Sequence, residues 1–220
     1  MARMKALAPI ALFFVLGVPA LASAQKPSGA ANPVKDRPAE KFDEIERGLY
    51  FGVQGGAFFI TNPPADEGPN GADPVRPFSS GQVAQVEIGF DLGERLSVGA
   101  FVLGAVNRAG SDYIGKSGGA ASGDFSTLAF GGTARVHLKG FMDSQDVERL
   151  FIYARAGGGL AMFSPKLLLP DSDILVFAGP GVEYYTRLRH FSVGVEVTGN
   201  YLVSAGSIGF AVTPNLRYAF

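Results

Sequence analysis

The chain has 220 residues, 47% of them hydrophobic and only 18% charged, with 19 Lys+Arg nearly cancelling 20 Asp+Glu. A charged fraction this small, with a mean hydropathy of +0.18, argues against disorder, and the near-neutral balance excludes a nucleic-acid binder. The absence of cysteine removes disulfides, thiolate metal sites, a cysteine nucleophile and a lipoprotein anchor, while 30 Gly and 18 Phe suit a helical membrane bundle poorly.

Residues 1–24 read as a secretory signal. Arg3 and Lys5 open it, Ala11-Leu12-Phe13-Phe14-Val15-Leu16 form its apolar core, and Ala22-Ser23-Ala24 is a small-residue cleavage site before Gln25. The mature chain is therefore expected to be exported, and no later stretch supplies the roughly 18 apolar residues of a spanning helix. Residues 25–48, rich in Lys, Pro, Asp, Glu and Arg, predict a solvated arm, within which Lys41 to Arg47 has the pattern for a helical turn or two.

From Leu49 the pattern has period two, the signature of strands. Strands are expected near 49–61, 81–92, 95–107, 124–139, 149–163, 173–186, 190–203 and 207–220. One face of each is apolar, as in Ala84, Val86, Ile88 and Phe90 of the second or Phe191, Val193, Val195 and Val197 of the seventh. No charge falls on that face, whereas the opposite face reads as Gly, Ser, Thr, Gln, Asn and a few charges. A soluble sandwich places its charges outward. A charge at the bilayer midplane costs ~2–4 kcal/mol, so an uncharged outward face is what lipid demands, and an even number of closed strands leaves no edge in it. The expected fold is all-β, an eight-stranded antiparallel up-and-down transmembrane barrel over 49–220.

Connector lengths orient it. Bacterial barrels keep short turns and both termini in the periplasm. That places 62–80, 108–123 and 164–172 on the cell surface and the 25–48 arm in the periplasm; the connector 140–148 is long for a periplasmic turn. Pro180 and Pro214, which remove ladder donors within strands, are expected to mark bulges. Leu216, Tyr218 and Phe220 on one face resemble the terminal strand that the barrel-assembly machinery recognises.

The inward face carries Glu87, Arg135, Arg155, Glu183, Glu196 and Arg217, three of each sign, with His137 and Lys139 extending the group toward the periplasmic rim. The lumen of eight strands is just wide enough for side chains, and buried charges must be paired. An ion-pair network plugging the lumen is therefore expected, and on that reading Arg155→Ala opens a conductance. A gated pore or proton path is the competing reading.

Other motifs carry less. Gly110 to Ser117 fits the phosphate-loop pattern, but Gly118-Gly119-Ala120-Ala121-Ser122-Gly123 cannot start the helix that pattern requires. His190, Ser192 and Glu196 are similar in type to the His/Ser/Glu set of outer-membrane lipid A deacylases, yet lie at the wrong end of the barrel for an outer-leaflet substrate. Asp66, Glu67, Asn70 and Asp73 depart from calcium-loop spacing. Leu167, Leu168 and Leu169 form a surface-loop triplet either tucked over the barrel mouth or offered to a partner. Neither catalytic residue, cofactor nor metal site is expected.

The segments Leu49-Tyr-Phe-Gly-Val53, Thr61-Asn-Pro-Pro-Ala65, Arg76-Pro-Phe-Ser-Ser-Gly81, Gly179-Pro-Gly-Val-Glu-Tyr-Tyr-Thr-Arg-Leu-Arg-His-Phe191 and Thr213-Pro-Asn-Leu-Arg-Tyr-Ala-Phe220 carry a resemblance. The chain resembles the outer-membrane adventurous gliding motility proteins of the contact-stimulated type CglE, and in fold the OmpA transmembrane domain and OmpW-type barrels. The resemblance implies a non-enzymatic component of a cell-surface gliding apparatus, in the outer membrane of a Gram-negative bacterium, passed between touching cells. Implied partners are outer-membrane lipid and lipopolysaccharide, the barrel-assembly machinery and envelope motility complex proteins. A small OmpW-like transport barrel for hydrophobic solutes is the alternative.

Overall fold

A computed structural model of the protein describes residues 45–61, 79–109, 123–144, 146–165 and 169–220. The expected signal segment, the arm up to residue 44, the loop 62–78 with Asp66, Glu67, Asn70 and Asp73, the stretch Gly110 to Ser117, and Leu167 and Leu168 lie outside these residues. Ile45 to Arg47 are non-helical, so the end of the expected helical turn is absent.

Eight strands form: β1 Leu49–Ile60, β2 Ser79–Leu92, β3 Leu96–Ala109, β4 Gly123–Met142, β5 Glu148–Ser164, β6 Ser172–Tyr185, β7 Phe191–Leu202 and β8 Ser207–Ala219. Each pairs antiparallel with the next, and β8 closes on β1 into one barrel. Closure satisfies both edges of every strand, which a sheet in lipid requires. The β2–β3, β4–β5 and β6–β7 connections share one end, here the turn end, with the Gly48 approach to β1. The other four connections define the loop end. Gly93 sits at a φ of 79° in the short β2–β3 turn, a conformation that favours glycine.

The pleat sorts the side chains as the alternation predicts. Leu49, Phe51 and Val53 of β1, Val86, Ile88 and Phe90 of β2 and Val193, Val195 and Val197 of β7 all face outward and are exposed. Phe59 and Phe210 stack across the β1–β8 seam with ring centroids 4.5 Å apart. β4 runs on to Met142, so the β4–β5 turn is shorter than the 140–148 connector suggests.

Pro180 and Pro214 do not mark bulges. β6–β7 pairing stops at Ala178↔Gly199 and resumes at Gly181↔Glu196 in the same register, while Pro180 keeps its place opposite Ala154 of β5. β1–β8 pairing likewise skips from Gln54↔Asn215 to Ala57↔Val212, and Pro214 stays opposite Val195 of β7. A proline lacks one donor, so it breaks one ladder without shifting the strand. The register shifts fall elsewhere, at Ser79/Gln82 on β2, and at His137/Lys139 and Phe141/Met142 on the β4–β5 pair.

Candidate functional site

Among the described residues, buried charged side chains gather in the lumen, which is divided in two. Near the turn end lies an ion-pair network containing all six predicted residues, each buried. Arg155 is its centre, 2% exposed. From β5 its guanidinium reaches Glu87 on β2 (Nη2–Oε2, 2.5 Å) and Glu196 on β7 (Nη1–Oε1, 2.6 Å), and its Nε donates to Thr133 Oγ1 on β4 at 2.9 Å. Tyr50 Oη donates to Glu87 at 2.6 Å and Tyr153 Oη to Glu196 at 3.1 Å. Both tyrosines need room: a Cβ at Gly89 would meet the Tyr50 hydroxyl, and one at Gly181 would meet the Tyr153 ring.

Two further groups join strands that are not neighbours. Arg135 of β4 pairs with Glu183 of β6 at 3.1 Å. Glu183 also accepts from Ser192 Oγ of β7 at 2.5 Å and lies 3.0 Å from His137 Nε2. Arg217 of β8 pairs with Asp91 of β2, to which Ser97 Oγ of β3 donates at 2.6 Å. The guanidinium groups also lie over aromatic faces, Arg135 4.4 Å from the Tyr153 centroid and Arg217 3.6 Å from that of Tyr50, favourable where water is excluded.

Three charged residues of the lumen were not among the predicted set. Asp91 makes the network four carboxylates against three guanidinium groups with His137 beside them, so the expected three-against-three balance is corrected. Arg149 pairs with Asp143 at 2.9 Å and donates to the Thr186 carbonyl at 3.1 Å, at the turn end. At the loop end Asp173 accepts from the Ser204 and Ala205 backbone amides, each at 2.8 Å, and so holds the β7–β8 turn. The three stand at even spacing from Glu87, Arg155 and Glu183 on their own strands, so parity was the available signal.

Lys139 is corrected in the other direction. Counting by twos from Arg135 and His137 places it inside, in keeping with the expectation of an uncharged outward face. The bulge inserts Leu138 between His137↔Tyr153 and Lys139↔Ile152, which reverses the parity and turns Lys139 outward. Its ammonium lies 5.1 Å from the Phe141 ring.

The loop half of the lumen is packed mainly by apolar side chains, with Asn107, Thr127, Asn200 and Ser207 buried among them, where a small and polar face was expected. Phe58, Phe101, Phe125, Phe163 and Phe177 fill it with Val83, Leu103, Leu175 and Leu202. Phe101 and Phe177 meet edge to face at 5.4 Å, and the Arg155 guanidinium lies 5.0 Å from the Phe177 ring, at the border of the two halves. Leu169, 4% exposed, belongs to this core, so of the leucine triplet it is tucked over the mouth and is not offered to a partner. Between the halves, bounded by Gln54, Arg155, Asn200 and Thr213, remains a cavity of about 20 Å³, room for about one water.

The His190, Ser192, Glu196 set is not assembled. His190 Nδ1 lies 2.8 Å from the Ala219 carbonyl and its ring stacks on Tyr218, Ser192 donates to Glu183, and Glu196 is held by Arg155. At the seam, Leu216, Tyr218 and Phe220 share the outward face, and the Phe220 amide donates to the Leu49 carbonyl at 2.9 Å. At the turn end Arg47 donates to the Glu94 carbonyl at 2.5 Å and lies 5.9 Å from the Phe151 ring, laying the chain across the rim.

No protein-family model matches this chain, and no curated relative matches it. Solved structures do. Neisserial surface protein A is 14% identical with a TM-score of 0.53, covering 79% of this chain and 97% of that one. AlkL, solved in lipid bilayers, is 14% identical with a TM-score of 0.49 and coverages of 90% and 96%. OprG of Pseudomonas aeruginosa is 12% identical with a TM-score of 0.48 and coverages of 81% and 99%. The closed eight-stranded sheet, its apolar outer surface and the match to the neisserial barrel make the fold of this chain that of the small outer-membrane β-barrels of Gram-negative bacteria.

Proposed function

We propose that the protein is a non-enzymatic outer-membrane barrel that acts through its surfaces, as a structural and interaction component of a cell-surface gliding motility apparatus. The observation that carries the surface-acting part is the filled lumen: ion pairs occupy the turn half and phenylalanines the loop half. A tube closed by two kinds of packing is suited to holding shape and presenting its ends, and poorly suited to passing solutes. The motility role rests on the resemblance carried by segments such as Gly179 to Phe191 and Thr213 to Phe220. On this reading the turn end and the arm before it face the periplasm and envelope motility proteins, and the long loops face outward.

Deleting the gene in the source bacterium and scoring single-cell gliding tests the proposal. Loss of gliding with unchanged uptake of hydrophobic solutes is the expected result. Normal gliding with altered uptake would replace this reading with that of a small transport barrel.

A further inference from the structure

Three buried polar atoms of the turn half are left over by the ion pairs. Arg135 Nε, Arg217 Nη1 and Asn215 Oδ1 have no hydrogen-bond partner among the described residues. Arg135 is 6% and Arg217 4% exposed, so neither guanidinium can turn to bulk water. Each is held in place by another of its nitrogens, Arg135 Nη1 on Glu183 at 3.1 Å and Arg217 Nη2 on Asp91. A buried donor or acceptor without a partner carries its full desolvation penalty, so such atoms call for one.

The Asn215 amide is oriented by its neighbour. Tyr153 Oη donates its proton to Glu196, so it accepts from Asn215 Nδ2 at 3.2 Å, and Oδ1 is the free acceptor. Arg135, Asn215 and Arg217 line one cavity of about 10 Å³, together with Gly52, Gln54 and Glu87. That volume is about the least that holds one water. The cavity lies behind the β1–β8 seam, at Gln54↔Asn215, the last pair before the ladder is interrupted at Pro214.

We propose that this cavity is a binding site for a single water, which accepts from Arg135 Nε–H and Arg217 Nη1–H and donates to Asn215 Oδ1. Two donors and one acceptor around a cavity of this size match the three hydrogen bonds that a buried water typically makes. A small anion such as chloride could accept from both guanidinium groups, but it would meet Asn215 Oδ1 and the Glu87 carboxylate with its own sign. The water joins the Arg135–Glu183 and Arg217–Asp91 pairs to each other and, through Asn215 and Tyr153, to Glu196 and Arg155. The site needs only the folded barrel and stands apart from the motility reading.

A crystal structure of the folded full chain tests it, with bromide as the only halide and at a resolution that shows ordered waters on the barrel. The expected result is a density peak about 2.7–3.2 Å from Arg135 Nε, Arg217 Nη1 and Asn215 Oδ1, without anomalous signal from bromine. Asn215→Asp, which keeps an oxygen at that position, retains the peak; Asn215→Leu, which replaces the acceptor with a methyl group, loses it. Heat-dependent gel mobility reports that each variant is folded; should neither fold, the wild-type density decides alone. No peak in the cavity, a peak with bromine signal, or a peak unchanged in folded Asn215→Leu would overturn the proposal.

Discussion

In the turn half of the lumen a single guanidinium, Arg155, is held by Glu87, Glu196 and Thr133 from three other strands. In the loop half Phe101 and Phe177 meet edge to face among leucines and valines, without a charge between them. Both halves fill the same narrow tube, but they do so under different rules. Ion pairs are directional and costly to desolvate, so each charge is stable only while its named partner is present. Apolar packing is non-directional and responds to volume. The polar half therefore specifies which strands are joined across the barrel, and the apolar half supplies most of the favourable burial.

The largest expected effect follows from stranding charge. Arg155→Met leaves Glu87 and Glu196 buried without their cation, and the unfolding midpoint in urea, followed by far-UV circular dichroism in detergent, falls by the equivalent of about 3–5 kcal/mol. Adding Glu87→Gln and Glu196→Gln to that variant recovers most of the loss, because no uncompensated carboxylate remains. If the triple variant is as unstable as the single one, the ion pairs are not what distinguishes this half.

Next comes volume. Phe101→Ala opens a hole in the loop half and lowers stability by about 3 kcal/mol, while Phe101→Leu, closer in volume, costs under about 1.5 kcal/mol by the same measurement. A graded response to size there, against an all-or-none response to charge at Arg155, is the pattern that two separate packing rules predict.

The smallest effect concerns the bulge. Deleting Leu138 lets β4 run in regular register against β5 while Lys139, Gly140 and Phe141 keep their faces, so stability changes by under about 1 kcal/mol. A deletion that abolishes folding, seen as loss of the heat-dependent gel shift, would show that Leu138 holds the register itself.

These differences mark what was legible in the sequence. Eight strands were readable because Val86, Ile88, Phe90 and their counterparts repeat every second residue against a polar alternate face. The same parity brought Glu87, Arg135, Arg155, Glu183, Glu196 and Arg217 together correctly, and would have added Asp91, Arg149 and Asp173, which lie close to strand ends. In the loop half, Phe58 and Phe177 face inward between apolar neighbours, Ala57 and Phe59 in one case and Val176 and Ala178 in the other. Where both faces are apolar the alternation loses contrast, and the phenylalanine packing of this half of the lumen was not visible. Lys139 was misplaced for a different reason: a bulge is a property of two paired strands, and only the partner's Ile152 and Tyr153 show that one residue of β4 is extra.

The central claim is that the lumen is closed twice, once by charge and once by packing. Single-barrel conductance in planar lipid bilayers tests it most directly, on the wild type and on Arg155→Ala. Closure in both halves revises the expectation from the network alone. The wild type is silent, Arg155→Ala stays silent because the phenylalanines remain, and steady conductance appears only when Phe101→Ala and Phe177→Ala are added. A steady conductance in the wild type would contradict the account.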